Sequence, residues 1–224
     1  NAGASLALSG FNQTIGGLVA SGSASGTRRV YSNGATLSTL TINTAADQTN
    51  SYTHTLGNPN LPPTDIFNNF AIVKTGPGIQ IFANSGYGGT TTISGGALLF
   101  TGGATTMVGD ITVEAGGTVG GSGTGANAVG APITVLPGGR LEPGNLGIGT
   151  FTVSNSVALQ GEAFFKLNSP TADKLVANSI NLGGTLIVTN LGVLQGGETF
   201  TLFSGALSGN FNSVVLPALN GGLL

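Results

Sequence analysis

One short phrase returns along this chain at an almost constant interval, and that interval limits the fold more than any other feature. The phrase is a glycine, usually doubled, then a small or polar residue, then an apolar one. It reads Gly95-Gly96-Ala97-Leu98, Gly116-Gly117-Thr118-Val119, Gly138-Gly139-Arg140-Leu141 and Gly183-Gly184-Thr185-Leu186, with weaker copies at Gly161-Glu162-Ala163-Phe164 and Gly205-Ala206-Leu207. The last glycine of each copy falls at Gly96, Gly117, Gly139, Gly161, Gly184 and Gly205, an almost even ruler. A fixed period of this length marks a solenoid, in which each repeat is one coil that buries its apolar face only when a neighbour stacks on it.

Composition supports this reading and removes its competitors. Glycine numbers 40 of 224 residues and charged residues make only 6%. Disorder requires low hydrophobicity with high net charge, whereas this chain is 40% apolar with a net charge of −2. Collagen requires glycine at every third position and abundant proline, and here glycine clusters and prolines number nine.

Two copies superpose without a gap. Ile111-Thr-Val-Glu-Ala-Gly-Gly-Thr-Val119 matches Ile133-Thr-Val-Leu-Pro-Gly-Gly-Arg-Leu141 one period later. Alternation sends the first and third residues inward and the threonine outward, and the glycine pair turns the corner. No glycine-free window keeps apolar residues at helical spacing, so essentially no helix is expected. The expected fold is all-β: a parallel β-helix, or β-solenoid, of ~22-residue coils, right-handed because parallel crossovers almost always are. Counting upstream echoes gives roughly nine or ten coils. Residues 1–224 form one body, with later strands at Phe151–Val153, Ala163–Leu167, Lys174–Val176, Leu186–Thr189, Phe200–Phe203 and Val214–Leu216.

The ruler slips at 44–70. Asp47, His54, Asn58-Pro59, Pro62-Pro63 and Asp65 fall there, and proline donates no hydrogen bond to a ladder. An irregular coil or protruding loop is expected, and it is the place to look for binding.

Candidate chemistry is sparse. His54 is the only histidine, so a multi-histidine metal site is excluded and a Ser-His-Asp triad could be built only on it. Asp47, Asp65, Asp110, Glu114, Glu142, Glu162, Asp173 and Glu198 are scattered. A polysaccharide-cleaving β-helix would place carboxylates at equivalent points of adjacent coils. Glu114 aligns with Leu136 and Glu142 with Gly120, so no such ladder is read. Arg140 and Glu142 face one way and read as a solvated ion pair. Gly123-Thr-Gly-Ala-Asn-Ala128 imitates a dinucleotide fingerprint, but Pro132 stands where its helix should run. Asn12-Gln13-Thr14 matches a glycosylation acceptor pattern without further support. No catalytic, cofactor-binding or metal residue is assigned, no cofactor is expected, and the chain is expected not to be an enzyme.

Six basic residues spread along the chain make no patch for nucleic acid, and no apolar run approaches the ~20 residues of a spanning helix. The absence of cysteine is compatible with an oxidising exterior. Neither Asn1–Leu8 nor Val214–Leu224 is polar enough to cap a solenoid, so the ends are expected to stack on further coils of a longer exported chain or on other copies in a filament.

The runs Leu6–Leu18, Ile72–Ile81 and Gly86–Leu99, continued through Leu136–Asn145, Asp173–Val176 and Gly197–Phe203, resemble autotransporter-associated β-strand repeats. That resemblance implies a passenger-type right-handed β-helix displayed outside a bacterial cell, with no catalytic signature to transfer. The function it implies is an extracellular structural stalk or fibre segment on, or released from, the bacterial surface. The alternative is an adhesin that uses the 44–70 loop to contact a glycan or host protein, and a β-helix polysaccharide lyase or hydrolase ranks third.

Overall fold

In the computed structural model the described residues are 5–20, 29–58, 60–62, 64–102, 107–122, 128–144, 147–194 and 196–217. They form about eight turns of parallel β-solenoid. One sheet has eleven strands and the other nine. Every strand pairs in parallel with its equivalents one coil away, except that the short strand Thr171–Ala172 folds back antiparallel on Glu162–Asn168. The only helical element described is a short 3-10 turn, Ile66–Asn68.

The second sheet carries the alternation in its simplest form. Ile111, Thr112 and Val113 pair with Ile133, Thr134 and Val135 in the expected register, and each triplet is buried at its ends and half-buried at its centre. The inward residues merge into one apolar cluster that runs from Leu8 to Ile180. Aromatic residues stack within it, Phe70 on Tyr87 at 5.1 Å and Phe165 on Phe203 at 4.8 Å between centroids.

The glycine pair does two different jobs at a corner. Gly138 has φ +83°, and a Cβ at Gly139 would lie 2.6 Å from the Val113 carbonyl oxygen of the coil below. The first glycine therefore supplies a left-handed turn and the second a close backbone approach.

Three expectations need correction. Coil lengths are not uniform. In the first sheet Ile79 pairs with Ala97, a step shorter than the ruler, whereas Leu6 pairs with Val30, Thr49 with Ile79 and Thr185 with Ser213, all of them longer. Longer upstream coils leave fewer turns than nine or ten. Next, Gly205 does not mark a corner of the same kind. It sits in Phe203–Gly209 of the second sheet, paired with Lys174–Leu182 across a bulge, where its Cβ would meet Ala177 O at 2.0 Å. The equivalent of Gly184 one coil on is Asn212, and Phe200–Leu202 precede the strand. Finally, the irregular segment is narrower than 44–70. Thr49–Gly57, with Tyr52 and His54 inside it, is a strand of the first sheet whose pairing shifts register between Tyr52 and Thr55. The strand ends at Gly57 and the next begins at Phe70, so the excursion lies between them, within 58–69.

Candidate functional site

Two places depart from plain coil stacking. The first is the excursion itself. The buried Asn68 ties it together: its Nδ2 donates to the carbonyls of Asn58, Leu61 and Pro62 at 3.1, 3.4 and 3.0 Å, and its Oδ1 accepts from Asn58 N–H at 2.6 Å. Asn69 donates to the carbonyls of Gly34 and Ala35 at 3.1 and 3.0 Å, which fastens the loop to the coil below. Asp65 caps the 3-10 turn by accepting from Phe67 N–H at 3.0 Å. The loop so held presents Ile66 and Phe67, 49% and 36% exposed, with Phe67 packed on Tyr31 at 5.5 Å. His54 lies outside the loop, edge-on to Tyr52 at 5.9 Å, with its Nε2 buried and without a hydrogen-bond partner.

The second place is a charge network on the outer face of the first sheet. Its members come from three successive levels of the fold. Arg140 and Glu142 stand two apart on Arg140–Pro143, and Glu162, Phe164 and Lys166 alternate along Glu162–Asn168. Arg140 pairs in register with Glu162 on the next coil, and its Nε and Nη2 both donate to Glu162 Oε2, at 2.9 and 2.7 Å. The Arg140–Glu142 contact expected from the sequence is long, at 3.9 Å. Glu142 instead accepts from Lys166 Nζ at 3.0 Å, and Lys166 Nζ also reaches Asp173 Oδ2 at 2.9 Å. The Arg140 guanidinium stacks over Phe164 at 4.8 Å.

Exposure falls steadily across the network. The side chains of Arg140 and Glu162 are 37% and 40% exposed, Glu142 13%, Lys166 8% and Asp173 0%. A buried charge is tolerated only when paired and hydrogen-bonded, and here each is. Lys166 Nζ has a third acceptor in Pro143 O at 3.0 Å, while Asp173 receives Gly149 N–H on Oδ1 and Lys166 N–H on Oδ2 at 2.8 and 2.9 Å.

Carboxylates form no ladder at the coil spacing, but opposite charges, Arg140 and Glu162, stand one period apart in the sequence. Asp173 has no such sequence signal, because only the fold-back at Thr171–Ala172 brings it against Lys166. Elsewhere, Glu114 N–H bonds Ile93 O at the end of its strand and stands apart from the network. Among the described residues no group of three or more His, Asp or Glu converges as a metal site. The imitation fingerprint, except Ala128, lies outside the described residues, as do Asn1–Ala4 and 218–224 of the two ends. A cavity of about 200 Å³, lined by none of the network's side chains, lies among Leu99, Thr101, Gly121, Ser122, Gly144, Gly147 and Ile148. No described helix is long and apolar enough to cross a membrane.

No family model matches the chain. Over 165 residues, 66% of this chain, it is 28% identical to the adhesin BmaC autotransporter of Brucella suis biovar 1 (strain 1330), and the match spans 5% of that protein. The parallel solenoid and this similarity together fit a surface adhesin or a structural role.

Proposed function

We propose that this chain is a segment of an autotransporter-type passenger built from autotransporter-associated β-strand repeats, exported to the bacterial surface, where it acts as a rigid, non-enzymatic stalk. The observation that carries the reading is the coil-on-coil parallel pairing of both sheets with one apolar cluster running beneath it from Leu8 to Ile180. Such a body gives length and stiffness without requiring a pocket. The last described coil leaves Leu207, Val214, Val215 and Leu216 between 49% and 67% exposed, which suits stacking on a further coil of the same chain or of another copy.

A specific observation favours a second reading, that of an adhesin. The excursion 58–69 is pinned by side-chain hydrogen bonds and holds out Ile66 and Phe67. Fixed apolar side chains on a rigid scaffold lose little entropy on binding. Beads coated with the protein decide between the two. The stalk reading expects them to attach to host cells and immobilised glycans no better than blank beads. Attachment that disappears in an Ile66→Ser, Phe67→Ser double variant with unchanged circular dichroism would replace it with the adhesin reading.

A further inference from the structure

The chain has no cysteine, so no disulfide can brace its coils. The arrangement around Lys166 offers another covalent brace. We propose that Lys166 and Asp173 condense to an intramolecular amide, with Glu142 as the proton relay.

The geometry contains each part that the reaction requires. Three acceptors surround Nζ: Glu142 Oε1 at 3.0 Å, Pro143 O at 3.0 Å and the Asp173 carboxylate at 2.9 Å. A neutral amine has two N–H donors and one lone pair. Glu142 and Pro143 take the donors, which leaves the lone pair for the Asp173 carboxyl, whose Oδ2 stands 2.9 Å from Nζ. The electrophile is polarised on both oxygens, by Gly149 N–H on Oδ1 and Lys166 N–H on Oδ2, as in an oxyanion site. Asp173 is fully buried and Lys166 nearly so. Amides are disfavoured by bulk water, but well-oriented intramolecular reactions reach effective molarities of ~10⁵ M or more, far above that of water itself.

The step balances without any added reagent. One ammonium proton passes to Asp173 Oδ2, which leaves a neutral amine and a neutral acid. The Nζ lone pair then bonds to Cγ, the carbonyl electrons move onto Oδ1, and Glu142 takes a second proton from the nitrogen. When the Oδ1 carbonyl re-forms, the Cγ–Oδ2 bond breaks and Glu142 returns its proton, so that Oδ2 departs as water and Glu142 is again a carboxylate. No oxidant is consumed. Lys74, the fully buried lysine among the described residues, lacks this option, since its Nζ donates to the carbonyls of Thr75, Gly76 and Gly95.

Mass spectrometry of the purified, folded chain tests the proposal. The expected intact mass is lower than the sequence mass by one water. Chymotryptic cleavage after Leu167 is expected to leave the fragments carrying Lys166 and Asp173 joined, which separates the amide from a succinimide at a single residue. Glu142→Gln keeps the shape of the side chain and removes the base, so it should restore the full mass with unchanged circular dichroism. A wild-type chain at its full sequence mass would overturn the proposal, and so would a water loss that maps away from this pair. A deficit that persists in Glu142→Gln would overturn the relay.

Discussion

The stretches of this solenoid before and after Thr91 share glycine corners but differ in what else fastens their coils. From Ser32 to Thr91 the described residues include eight buried polar side chains: Ser32, Ser38, Thr44, Asn68, Lys74, Gln80, Ser85 and Thr91. Between Thr91 and Lys166 there are none among the described residues. In the first stretch the register takes steps as long as that from Leu40 to Ile72, and the surplus chain is fastened by side chains that reach backbone groups. Gln80 alone bonds Leu18 through both its N–H and its carbonyl, and Asn50 as well. In the second stretch the first sheet steps almost evenly, from Ala97 to Thr118, Arg140 and Glu162, and among the described residues the glycine corners stand without buried polar side chains beside them. Constant coil length removes the need for polar clamps, because a tight corner satisfies its own N–H and carbonyl groups.

Substitutions that attack one mechanism and not the other sharpen this contrast. The largest effect is expected at a glycine of the regular stretch. A Cβ at Gly161 would lie 2.3 Å from Gly139 O and 2.4 Å from Leu136 O, so Gly161→Ala must separate two coils and should cost about 4 kcal/mol in chemical denaturation. A cost below about 1 kcal/mol would break the claim that close approach sets these corners. Next comes Asn68→Ala in the expanded coil. It strands three carbonyls and one N–H and should cost about 2–3 kcal/mol. Faster amide exchange should be confined to 58–69.

A pH effect follows at Lys74. Burial pushes its ammonium down from 10.5 to about 8. Between those values the unfolded chain holds more protons than the folded one, so stability from this group rises with pH across that window and is flat below it. The difference in denaturation midpoint between wild type and Lys74→Met should therefore move in favour of wild type from pH 8 to 10. Tyr87 opposes the trend above pH 10, since burial raises its phenol and folding then disfavours ionisation. The smallest effect is expected at Arg140→Ala. Its pair with Glu162 is more than a third exposed on both sides, and the loss should stay within about 1 kcal/mol. A much larger loss would mean that the regular coils also depend on polar clamps.

How far the sequence could be read follows the same divide. Ile111-Thr-Val and Ile133-Thr-Val announce both strand and register, because their spacing is set by backbone geometry that glycine makes visible. Gly205-Ala206-Leu207 carries the same letters at another point of the coil, since glycine marks any close approach and not one corner in particular. Thr49–Gly57 was hidden by its neighbourhood: the prolines that disqualify a ladder lie just beyond its end. Of the charge network, the Arg140 and Glu162 pair stood at the repeat spacing and was legible. The closure by Asp173 was not, because it depends on the brief fold-back at Thr171–Ala172.

Unequal coils also give the rod a mechanical signature. Each level is held by hydrogen bonds to its neighbours, so tension applied at the ends should strip it level by level and not all at once. Extended chain spans at most ~3.3–3.6 Å per residue, so the long step from Thr49 to Ile79 releases far more slack than the short one from Ile79 to Ala97. The sawtooth of such a stretch would carry the order of its teeth as a readable barcode of the chain.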